Sequence, residues 1–220
     1  MKKLISLLLV FCLAAFTCAA LAEDVTLTED NAKVEIAGVG VADLEPSEVE
    51  SYALGGYSVT NNNETYTINT GSLTFQVSLG AYPEVYTLTR DYAASFAAFM
   101  YFDYDAVLSF FEENDIHLLL YDAGTDNQTI LYTIPGDETA SYIGNFTALS
   151  AANKAVMAKA NSGTETIYTI GNCDWFRISA DTLVTIVNGQ YVVLCYGTSD
   201  GATDADFADS CNYLSTLTIK

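Results

Sequence analysis

One histidine, His117, has to serve any site in this chain that needs an imidazole. A hydrolase triad or a histidine-based metal site must be built on it. It interrupts the apolar run Ile116-His-Leu-Leu-Leu120, which reads as a strand, so a packed or hydrogen-bonded structural histidine is the expected role. Carboxylates are plentiful: Glu112-Glu113, Asp103 with Asp105, and Asp204, Asp206 and Asp209. Two suitably spaced acids suffice for glycoside hydrolysis. Among 28 acidic residues, however, such pairs arise by chance. These fall at predicted helix starts, where the helix dipole alone favours them. Asp200-Gly-Ala-Thr-Asp204-Ala-Asp206 resembles a calcium loop faintly, but lacks the alternate-oxygen spacing and the terminal bidentate Glu. Helix capping is the expected use of these acids. Gly38-Val-Gly40 has no third glycine and no helix pattern behind it, so no phosphate-cradling loop is expected. No catalytic residue, metal-ligand set or cofactor site is assigned.

Tyrosine is the residue type that stands out, with 15 copies beside a single tryptophan, Trp175. A tyrosine offers a flat apolar body and a polar tip, useful against sugars, peptides and proteins. The densest aromatic run, Tyr92 to Phe111, reads first as core and strand faces. If part of it is exposed it would form a contact patch. Tyr92, Tyr101 and Trp175 are the expected binding residues.

The N-terminus sets the compartment. Met1-Lys2-Lys3 is basic, Leu4 to Phe16 is almost wholly apolar, and Ala20-Leu21-Ala22 precedes Glu23-Asp24. That order is a secretory signal peptide cleaved after Ala22, and the expected product is secreted or associated with the cell envelope. The competing reading is an uncleaved anchor, for which the stretch is borderline against the about 20 apolar residues a span needs. The expected mature chain carries six basic and 28 acidic residues, a net charge of −22. Nucleic acid and anionic membrane are poor partners for such a surface, because binding either needs Lys and Arg against phosphate. The acidity itself reads as a solubility device that favours a monomer. Cleavage leaves Cys173, Cys195 and Cys211, an odd count with spacings that match no zinc pattern. They read as small buried side chains, Cys195 on a strand and Cys211 on a helix, with disulfide pairing left open.

The elements that must position these residues follow from periodicity and turn chemistry. Val34 to Val41, Tyr57 to Thr60 and Thr65 to Ile68 read as strands, with Asn61 to Glu64 a hairpin loop. Leu73 to Leu79 alternates cleanly, and Glu84 to Thr89 follows as a strand. A helix capped by Asp103 or Asp105 runs to about Asn114. Ile116 to Tyr121 is a strand buried on both sides, and Thr129 to Ile134 is the next. Ser150 caps a helix to about Ala160. Strands are then expected at Thr164 to Ile170, Asp174 to Ser179, Thr182 to Val187 and Gln190 to Tyr196. The last pair is joined by Asn188-Gly189, a strong type I′ hairpin signal. Thr203-x-x-Asp206 opens a final helix with Phe207, Cys211 and Leu214 on its inner face, and Ser215 to Lys220 closes as a strand. Strands joined by short turns are antiparallel, and the interspersed helices must cover the sheet, which predicts an α+β fold.

The chain from about Leu73 to Lys220 resembles the PsbP-like α/β/α sandwich family, in particular small exported bacterial proteins of that type. The resemblance is carried by Tyr142-Ile-Gly-Asn-Phe-Thr-Ala-Leu149 leading into a helix, and by the strand from Asp174 to Ser179. The hairpin Thr185-Ile-Val-Asn-Gly-Gln-Tyr-Val-Val193 and the closing Phe207…Leu214-Ser-Thr-Leu-Thr-Ile219 complete it. It implies an α/β/α sandwich over 71–220; the signal peptide over 1–22 and a β-rich N-terminal extension over 23–70 are read from the residues themselves, and the extension has no counterpart in the resemblance. The resemblance also implies a non-enzymatic accessory or binding role with a glycan, peptide or protein ligand, and it transfers no site residues. The alternatives are a carboxylate-based hydrolase of extracellular polysaccharide, and a divalent-cation binder using Asp200 to Asp209.

Overall fold

The computed structural model describes residues 25–36, 65–80, 82, 85–88, 109–111 and 113–220. The expected signal peptide, the expected strand at 57–60 and its loop, and most of the aromatic run with Tyr92 and Tyr101 lie outside the described residues.

The centre is a seven-stranded antiparallel sheet. Its strands are β3 (Val85–Leu88), β4 (Ile116–Asp122), β5 (Gln128–Ile134), β6 (Tyr168–Ile170), β7 (Cys173–Ser179), β8 (Thr182–Val187) and β9 (Gln190–Gly197), in the order β3-β4-β5-β9-β8-β7-β6. A second sheet of three strands, order β1-β2-β10, is formed by β1 (Thr65–Asn69), β2 (Thr74–Ser78) and β10 (Thr218–Ile219). The described helices are α1 (Glu138–Ile143), α2 (Ala151–Ser162) and α3 (Asp204–Tyr213), with a 3-10 turn at Phe146–Ala148. Residues 109–111 and 113 are also helical. The fold is therefore mixed α+β and antiparallel, and strands dominate it.

Alternation along the central strands splits the core in two. Tyr191, Val193 and Cys195 of β9 face one cluster with Ala140, Phe146, Met157 and Ala158, so α1, the 3-10 turn and α2 cover that face. Val192, Leu194 and Tyr196 face the other cluster, with Phe75, Val77, Tyr213, Leu214 and Ile219. That second face is covered by the small sheet together with α3. Both faces are dry, which is why β4, β5, β8 and β9 read as near-continuous apolar runs.

Local signals act where expected. Asn188 and Gly189 both take positive φ, 52° and 74°, and so match the right-handed twist of β8 and β9. Ser150 accepts from the Asn153 N–H, and Thr203 and Asp206 form a reciprocal capping box. Several features differ from the sequence reading. Residues 34–36 carry no strand, and the closing strand is confined to Thr218–Ile219. Helix α1, capped by Asp137, occupies a stretch to which that reading assigned no element. The expected Thr164 strand starts at Tyr168. The buried side of α3 carries Asp206, Ser210 and Tyr213 beside Leu214, while Phe207 and Cys211 are half-buried at its flank. Gly136, just before α1, passes so close to the β8–β9 turn that an added Cβ would sit 1.7 Å from the Gly189 carbonyl oxygen. Cys195 lies on β9 and Cys211 on α3, and all three cysteines of the body are free thiols.

Three carboxylates fasten adjoining segments. Asp137 accepts from the Ala140 N–H at 2.9 Å and the Tyr191 hydroxyl at 2.7 Å. Asp174 takes the Lys154 ammonium at 2.7 Å and the Thr169 hydroxyl at 2.8 Å. Asp181 accepts from Ser179 and Thr182. Burial pushes each carboxyl up, but these bonds outweigh it and hold all three below the usual carboxylate range. A depressed folded pKa means stability that is fully present above the unfolded value of about 3.9 and is lost as pH falls through the folded one. Melting temperatures between pH 2 and 7 should fall progressively below about pH 4. A melting temperature that climbs on acidification through that window would show that these bonds do not govern acid stability.

Candidate functional site

The described residues enclose a cleft of about 510 Å³ where the open end of the small sheet meets the ends of β4, β5 and β9. Its position follows from two backbone irregularities at the start of β4. Asp115 adopts the left-handed region at φ 48°, which aspartate tolerates better than most residues. The register with β5 then shifts between Ile116 and Leu118, leaving His117 as the extra residue of a bulge. A bulge re-aims a side chain that strict alternation would place elsewhere. Here it puts the imidazole against the second sheet, where it stacks on Phe75 with ring centroids 5.5 Å apart. His117 Nε2 and Thr133 Oγ1 lie 2.8 Å apart, the donor being set by the tautomer.

The opposite wall is the β1–β2 turn. Thr70 organises it, accepting from the Leu73 N–H at 3.1 Å, while the Thr74 hydroxyl donates to Asn69 Oδ1 at 2.8 Å. Ser72 reaches across the cleft to donate to Gln190 Oε1 at 3.0 Å, tying this turn to the start of β9. Gln190 is placed there by the Asn188-Gly189 turn, and Pro135 completes the rim. The lining therefore presents two carboxamides, three hydroxyls, one imidazole and one carboxylate, over an apolar floor from Ile68 and Ile116. Among the described residues no lysine or arginine lines it.

This set is suited to recognition by hydrogen bonds. Among the described residues Asp115 is the single carboxylate of the lining, whereas hydrolysis by paired acids needs a second one across the cleft. The hydroxyl beside His117 is that of Thr133 on β5, and the Ser72 hydroxyl is engaged with Gln190.

The expected contact residue Trp175 is elsewhere. It is fully buried in the second core cluster and donates from Nε1 to the Ile170 carbonyl at 3.3 Å. It offers no surface to a ligand; a tryptophan in an antiparallel strand covered on both faces goes to the core. One acid of the expected cation segment is committed. Asp206 is buried and accepts from both the N–H and the hydroxyl of Thr203 at 2.8 and 2.7 Å. Among the described residues no three His, Cys, Asp or Glu side chains gather as a metal set. The cleft itself was foreshadowed by one signal, a polar residue breaking an apolar run at His117. The approach of the Asn69 to Leu73 turn is tertiary and left no mark in the sequence.

No known protein family, curated protein or solved structure matches this chain.

Proposed function

We propose that the protein is an exported, non-enzymatic binding module of the cell envelope that takes a neutral, hydroxyl-rich ligand, a glycan unit, in the cleft at His117. The observation that carries this reading is the lining: carboxamides and hydroxyls with one acid and no cation among the described residues. Carboxamides and hydroxyls both donate and accept, as sugar hydroxyls do. Anionic ligands would meet Asp115 on a chain with an expected mature charge of −22. Export rests on the ordered signal sequence before Glu23, and the mature protein is a monomer whose acidity keeps it apart from its copies. The PsbP-like sandwich is part of the same proposal. An antiparallel sheet with α1 and α2 on one face and α3 on the other supports it, and the small sheet beside α3 is this chain's own elaboration.

Calorimetric titration of the mature protein with a panel of neutral oligosaccharides tests the assignment. Binding to at least one of them is expected, without release of shorter products. Gln190→Ala and Asn69→Ala should each weaken it by about five- to tenfold, the loss of one net hydrogen bond. Turnover of the glycan would instead establish an enzyme. Binding untouched by both substitutions would move the ligand out of the cleft.

A further inference from the structure

Residues 25–36 have no regular secondary structure, yet they are held on α2 in an ordered way. Two asparagines of that helix, eight residues apart, each read one piece of backbone. Asn153 accepts from the Leu27 N–H at 3.4 Å and donates to the Val25 carbonyl. Asn161 accepts from the Val34 N–H at 2.8 Å and donates to the Ala32 carbonyl at 2.8 Å. Eight residues of helix rise about 12 Å, so the two amides form a pair of clamps along one stripe of α2. Between the clamped pieces the chain turns on itself through Thr28 and Asn31, with the Ala32 N–H donating to the Thr28 carbonyl at 3.0 Å. Leu27, Ala32 and Val34 are buried in the helical-side core cluster, and Lys159 pairs with Glu29 at 2.8 Å on the exposed side.

This is the logic of extended-peptide recognition. Main-chain hydrogen bonds supply affinity, and pockets for particular side chains supply specificity. Nothing in the contact depends on whose chain supplies the peptide, since an element exchanged between identical chains makes the same interface in trans as in cis. Residues 37–64 join the strap to β1, and that many residues can span up to about 100 Å when extended.

We propose that this stripe of α2 is a peptide-docking surface whose partner is residues 25–36 of a second copy, the chain's own strap being the resident competitor. The surface is independent of the His117 cleft. A tethered strap acts at an effective concentration of order millimolar, so the wild-type protein is a monomer in dilute solution, and exchange requires crowding or loss of the cis contact.

Two full-length mature variants test this. L27D/V34D spoils the strap and leaves the groove intact; N153A/N161A spoils the groove and leaves the strap intact. Each alone should run as a monomer in size exclusion with light scattering, with native Trp175 fluorescence. Mixed, they should give a species of twice the mass, at least about tenfold enriched over either variant alone. A mixture that stays monomeric while both variants are folded would overturn the proposal. So would an L27D/V34D chain that fails to fold, because the strap would then be an inseparable part of the core.

Discussion

Replacing Trp175 with alanine is expected to cost about 3–5 kcal/mol of stability and to leave glycan binding by the folded protein unchanged. The side chain is fully buried among Leu183, Leu194, Leu214 and Leu217, between the central sheet and the layer of β2, β10 and α3. Its removal forfeits the largest apolar body in that interface and orphans the Ile170 carbonyl that its Nε1–H satisfies. In a domain of this size each kcal/mol moves the melting temperature by about 2–4 °C, so a drop on the order of 10 °C is expected by calorimetry. Because this tryptophan is unique, the wild-type protein carries its own probe: emission should be blue-shifted when folded and move red in a single step on denaturation. A variant with native stability and abolished ligand binding would return Trp175 to the surface role its residue type suggests.

The second large effect is expected at Asn127. Its side chain is completely buried and uses both ends of the amide. Nδ2 donates to the Asp206 carbonyl and the Ser210 hydroxyl, each at 3.2 Å, and Oδ1 accepts from the Gly197 N–H at 3.0 Å. Thr129 adds a contact of 2.7 Å to the same Ser210 hydroxyl. This network docks α3 on the ends of β5 and β9. Truncation to alanine takes the side-chain acceptor from the buried Gly197 N–H and a second donor from the Asp206 carbonyl, which keeps its helical partner, and leaves a cavity beside them; a stranded buried donor costs about 1–3 kcal/mol. A total loss of about 3 kcal/mol in urea unfolding is expected for Asn127→Ala, against under 1 kcal/mol for removing an exposed asparagine. A loss that small at Asn127 would mean that water replaces the amide and that α3 is held by Tyr213 and Leu214 alone.

How far the sequence carries depends on whether the deciding interactions are local. Ser150, the Thr203–Asp206 box and Asn188-Gly189 act within four residues, and each element they begin or turn was legible. The central strands were legible as well, since apolar runs of six or seven residues bounded by turn signals leave little choice. Helix α1 escaped notice because six residues carry too little periodicity, and because Pro135-Gly136 reads as a stop. The inner side of α3 was legible in part. Phe207, Cys211 and Leu214 pack against the core as read, but Asp206 and Ser210 are buried there too, because Asn127 and Thr129 wait on the sheet with hydrogen-bond partners for them. The cleft needed a bulge at His117 and the arrival of a turn from another sheet, neither of which has a short-range signature. Exposure of aromatics is likewise a property of the assembled layers, which is why Trp175 read as a contact residue.

The small sheet ties Phe75 to Ile219 and Gln76 to Thr218. Those partners lie far apart along the chain, on β2 (Thr74–Ser78) and β10 (Thr218–Ile219). The layer that seals one face of the central sheet thus stays open until β10 has docked. Closure on so long a loop is slow. Until β10 docks, Phe75, Val77 and Leu214 lack a neighbour in Ile219, so the last step of assembly is the one that joins the two ends of the described body.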